Sequence, residues 1–150
     1  MAITVTKEIL STAEAVWSVV TDFESAPSRI TSVKKVTVLN RPPSGLVGYK
    51  WQETRIMFGK VATETMWISG SQENEWYESK ALNSGCEYTT RVDLSKTGNG
   101  VLLSMSFHAK PLTFAARLFS PLSFLFSGMI KNAFEKDLSE LKANIESKSV

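Results

Sequence analysis

One cysteine and one histidine in 150 residues remove several chemistries at the outset. Cys86 cannot form an internal disulfide, and it stands alone, without the spacing that a metal site needs. No glycine-rich phosphate loop, metal-binding cluster or nucleophile motif occurs along the chain. The net charge of +2, from 17 basic and 15 acidic residues, gives no basic surface for nucleic acid. Lys34-Lys35 is the only adjacent basic pair. The apolar region around Phe124 reads as a poor spanning helix, because Arg117, Pro121 and Gly128 break it. The N-terminus runs straight into alternating sequence with no leader-like segment, so the expectation is a cytoplasmic protein. At this length, one domain spanning residues 1–150 is expected, large enough for a core of its own.

What is present is periodicity. Ile3, Val5 and Ile9 alternate with Thr4, Thr6 and Glu8, which predicts a first strand. Ser11 to Glu14 reads as a capping box, and Ala13, Val16, Trp17 and Val20 then recur at helical spacing. Pro27 disfavours a helical Ala26, so at most a short turn of helix is expected between Glu24 and Ser28. From Val33 onward the chain reads as strand and turn: Val33 to Leu39, Gly48 to Phe58, Val61 to Ser69, Trp76 to Leu82, Cys86 to Leu94 and Val101 to Ala109. A short helix over Thr113 to Phe119 follows, with a restart at Ser120-Pro121. The last stretch carries Phe134, Leu138, Leu141 and Ile145 on one stripe, as in a helix laid on a core.

The words in these places resemble the START-like, or SRPBCC, superfamily, and most closely its polyketide cyclase/dehydrase branch. Three segments carry the resemblance: Ala13 to Phe23 followed by Pro27, Val47 to Gly59, and Gly100 to Lys110 running on into Leu112 to Leu141. The resemblance implies an α+β helix-grip fold, a curved antiparallel sheet of about seven strands wrapped around a long C-terminal helix. It implies a cavity between the two, and a lipid, quinone, polyketide or aromatic ligand. It implies no shared catalytic triad, metal or cofactor, so none is assigned.

Gly59-Lys60 reads as a two-residue hairpin turn, which places Arg55 opposite Glu64 and Trp51 opposite Ile68. One face then holds Tyr49, Trp51, Glu53, Arg55, Met57, Ala62, Glu64, Met66 and Ile68, and this face is taken as concave. Arg55 would bind a ligand carboxylate, phenol or carbonyl, with Glu53 or Glu64 as counter-ion. On the last strand Met105 and Phe107 belong to the inward row and His108 to the outward one. The expected ligand-binding set is Trp51, Glu53, Arg55, Met57, Glu64, Met66, Met105, Phe107, Phe126 and Met129. Cys86 reads as structural, and Asp22 and Asp93 as turn residues.

Three functions follow. The first is a carrier or sensor for a small apolar ligand. The second is a cyclase or dehydratase acting on a polyketide-like ligand. The third is a protein that docks to a membrane surface or a partner chain through the Phe-rich stretch from Leu112 to Ile130. That stretch is otherwise expected to wall the pocket entrance, and monomer and homodimer are both open.

Overall fold

A computed structural model describes residues 2–57, 59–83, 85–119 and 127–147. The strands are β1 (Ala2–Ile9), β2 (Val33–Asn40), β3 (Lys50–Met57), β4 (Lys60–Gln72), β5 (Trp76–Asn83), β6 (Cys86–Lys96) and β7 (Val101–Pro111). The helices are α1 (Ala13–Val20), α2 (Ala26–Arg29), α3 (Phe114–Phe119) and α4 (Ser127–Ser147), with a single 3-10 turn at Phe23–Ser25. All seven strands form one antiparallel sheet in the order β1-β7-β6-β5-β4-β3-β2. The meander from β2 to β7 therefore runs edge to edge, and β1 closes the far side. The helix-grip architecture is present: a long C-terminal helix lies across one face of a curved sheet.

Sheet curvature has a local cause. The β4–β5 register shifts between Ile68 and Gly70, which leaves Ser69 as the extra residue of a bulge. Its hydroxyl donates to Glu78 Oε1 at 2.7 Å. Bulges bend a strand and increase its twist. Further shifts occur in β2, between Val33 and Lys35 and between Val38 and Asn40.

Helix α1 buries Ala13, Val16, Trp17 and Val20, the stripe that its spacing predicts. Its cap is Thr12 rather than Ser11: Thr12 Oγ1 accepts from the Ala15 amide at 3.1 Å. The helix starts one residue later than the capping box requires, so the third helical position holds Ala15 and Glu14 cannot complete the box. Ala26 is helical, with φ −53° and ψ −39°, although Pro27 follows it. Pro27 sits in the first turn of α2, where its missing amide leaves no hydrogen bond unmade.

The β3–β4 hairpin corrects the expected pairing. It closes on Met57 and Lys60, with Gly59 at φ 77°, so Arg55 faces Ala62 and Glu53 faces Glu64. Glycine takes the second turn position, which shifts the register by two residues. Side chains alternate with a period of two, so this shift leaves every residue on its expected face.

Helix α4 is fastened at several points. Lys142 Nζ donates to the Glu8 carbonyl at 2.7 Å, and Glu146 Oε2 accepts from the Leu10 amide at 2.9 Å. On the other side Glu140 accepts from the Thr31 amide and hydroxyl, each at 3.0 Å. Leu138 and Ile145 are buried, at 2% and 3% exposure. Met129 is not, at 48%. It stands roughly 100° round the helix from Ile130, and Ile130 is the residue that joins the core.

Candidate functional site

Between the concave face and α4 lies a cavity of about 1080 Å³. The strand registers give it an order. At one end Phe23 stacks on Trp51, with ring centroids 4.3 Å apart, and meets the edge of Tyr77 at 5.5 Å. Trp17 adds an edge contact to Tyr77 at 6.1 Å. Tyr77 shares a row with Val92 and Met105, Trp51 shares one with Met66 and Tyr88, and Thr90 with Phe107 lies in the row between. A row with Glu53, Glu64, Cys86 and Pro111 lies beyond them, near Thr113, Ala115 and Ala116.

Of the expected set, Trp51, Glu53, Arg55, Glu64, Met66, Met105 and Phe107 all line this space. Met129 does not: it faces away, on the exposed side of α4. Phe126 lies outside the described residues, as do the Met57 and Phe119 side chains, Phe124 and the Ser120-Pro121 restart. The Phe-rich stretch is partly described. Thr113, Ala115 and Ala116 line the cavity, while Phe114 is 78% exposed.

Charge is organised around Arg55. Its Nε donates to Glu53 Oε2 at 3.1 Å and its Nη1 to Asp137 Oδ2 at 3.0 Å. Burial works against the guanidinium charge, but Glu53 and Asp137 outweigh it and hold Arg55 above its ordinary value. Asp137 is 5% exposed and takes a further hydrogen bond from the Ser32 hydroxyl at 3.1 Å. The expected counter-ion Glu64 is elsewhere engaged: its Oε1 accepts from Asn83 Nδ2 at 3.1 Å. Asp137 was the missing residue, and it had a signal. It sits between Phe134, Leu138 and Leu141 on the buried stripe of α4, where an acid has to find a partner.

Other polar groups surround the same space. Burial pushes the Tyr77 phenol well above its usual value, and the nearby Glu53 adds to this, so Tyr77 stays a neutral donor. Burial also raises Tyr88, with smaller contributions from Cys86 and Glu64. Trp51 Nε1 is buried with no hydrogen-bond partner, an unmet donor on a lining residue. Cys86, expected to be structural, is half-buried and lines the cavity. Asp22 pairs with Arg29 at 3.2 Å, and Asp93 pairs with Arg91 along β6, so neither carboxylate serves a turn. His108 is exposed and off the cavity. No group of side chains able to hold a metal occurs among the described residues. No described helix is long and apolar enough to cross a membrane.

Residues 1–146 match the family described as polyketide cyclase/dehydrase and lipid transport. No curated protein matches the chain in sequence. Solved structures share the fold. Protein TTHA0849 of Thermus thermophilus is 16% identical with a TM-score of 0.81, covering 100% of both chains. A START superfamily protein from Mycobacterium smegmatis is 17% identical at 0.78, covering 97% of each. The Zhui aromatase/cyclase from a Streptomyces species is 12% identical at 0.79, covering 100% of this chain and 96% of that one.

Proposed function

Because this chain belongs to the polyketide cyclase/dehydrase and lipid transport family, we propose that it binds a small apolar or amphipathic molecule between sheet and α4, as a carrier or sensor. The observation that carries this reading is the cavity of about 1080 Å³, floored by Phe23, Trp51 and Tyr77 and walled by Met66, Met105 and Phe107. Natural ligand pockets are of this size and composition, mostly apolar with a few placed polar groups. Methionine suits such walls, because its unbranched thioether adapts to irregular shapes.

A cyclase or dehydratase is the second reading. Two features favour it: the neutral Tyr77 phenol beside the cavity, and a fold shared with a protein described as an aromatase/cyclase. A phenol held in its protonated form can donate a hydrogen bond to a carbonyl oxygen on which charge develops.

Native mass spectrometry of freshly purified protein tests both. A co-purified apolar molecule of unchanged mass supports the carrier. Loss of water from a bound polyketide-like ligand on incubation supports the enzyme. An empty cavity that takes up no apolar probe refutes both.

A further inference from the structure

The charges that line the cavity do not balance. Among the described residues, four carboxylates, those of Asp22, Glu53, Glu64 and Asp137, stand against two guanidiniums, those of Arg29 and Arg55. Asp22 and Arg29 neutralise one another at 3.2 Å. Arg55 is shared between Glu53 and Asp137, so that cluster keeps one negative charge. Glu64 adds a second, for it is held by the neutral Asn83 amide, and no cation pairs with it among the described residues. Glu53 and Glu64 are also direct cross-strand neighbours. Carboxylates placed directly opposite one another on one sheet face repel. A positive or hydrogen-bond-donating group set between them would relieve that repulsion, whereas a third carboxylate would increase it.

Resting on the reading of the cavity as a ligand site, we infer that it selects apolar molecules whose head group donates hydrogen bonds and carries no negative charge. A protonated amine is preferred, and the matching carboxylate is excluded. This reverses the preference expected from Arg55 taken alone. Arg55 is already bound by two acids, so it offers a ligand anion a net negative cluster rather than a free cation. The rows order the bound molecule as well. Its apolar body lies toward Tyr77, Met105 and Phe107, and its head lies at the Glu53–Glu64 row.

Decylamine, decanol and decanoate, matched in chain length, separate the possibilities when each displaces a neutral solvatochromic dye from the purified protein at neutral pH. Decylamine is expected to bind at least about tenfold more tightly than decanoate, with decanol between them. Glu64→Gln should bring decylamine close to decanol, and an unchanged thermal melting midpoint shows that the variant is folded. Decanoate binding as tightly as decylamine overturns the inference and leaves the cavity reading standing. So does a Glu64→Gln variant that weakens all three probes equally. Failure of all three probes to displace the dye, together with failure of the dye to bind, refutes the cavity reading and the head-group preference with it.

Discussion

Arg55 Nη1 donates to Asp137 Oδ2 at 3.0 Å, across 82 residues of sequence, and so joins the third strand to the helix laid over the sheet. The contact does two things. It gives the buried acid on the apolar stripe of α4 its counter-ion, and it occupies one of the guanidiniums on the cavity wall. Stability and ligand preference therefore meet in the same pair.

Removing one partner should expose that coupling. Arg55→Ala leaves Asp137 buried beside Glu53 without a cation, at a cost on the order of 3 kcal/mol. The double replacement Arg55→Met with Asp137→Leu should recover part of the loss, because the buried Asp137 charge is gone while Glu53 still lacks its cation. Urea unfolding of the three proteins checks this. Equal stability of Arg55→Ala and the parent would mean that the pair is dispensable.

Two positions on α4 give opposite expectations. Leu138 is 2% exposed, so Leu138→Ala should cost roughly 2–5 kcal/mol. Met129 is 48% exposed, so Met129→Ala should change stability by no more than about 0.5 kcal/mol. Denaturant midpoints for the two variants measure the difference directly, and a reversed order would place the helix in a different rotation.

Gly100 packs where no side chain fits. A Cβ there would stand 2.2 Å from the Ile9 carbonyl oxygen, a backbone atom that cannot swing aside. Gly100→Ala should destabilise by about 1–3 kcal/mol through displacement of β1 from the start of β7. A thermal melt reports it, and an unshifted midpoint would show that the edge strand yields easily.

Tyr77 predicts an alkaline limit. Its folded-state pKa is raised, chiefly by burial and then by Glu53, so the phenol ionises more readily in the unfolded chain. The sign follows: this group's contribution is complete below the unfolded value near 10 and falls away as pH rises above it. Tyr77→Phe should flatten the loss of stability on the alkaline side. Tyrosinate absorbance followed against pH should show one phenol that titrates only as the protein unfolds. Early titration of every tyrosine would place Tyr77 in contact with solvent.

Local periodicity by itself determined the elements and their facing. The burial of Val16, Trp17 and Val20 follows from spacings of three and four, and the inward row of Met105 and Phe107 from alternation. The β3–β4 register differed from its expectation by two residues, yet Trp51, Glu53 and Arg55 kept their face, because the pleat repeats every two. Which partners meet was decided only in the tertiary structure. A stripe tells a helix residue to turn inward, but not which strand it will meet. Asp137 on that stripe announced a buried acid without naming Arg55. Met129 shows the same limit, since one step along the helix turns a side chain from cavity to solvent. The sign of the cavity's charge depends on these long-range pairings, so only the folded chain sets it.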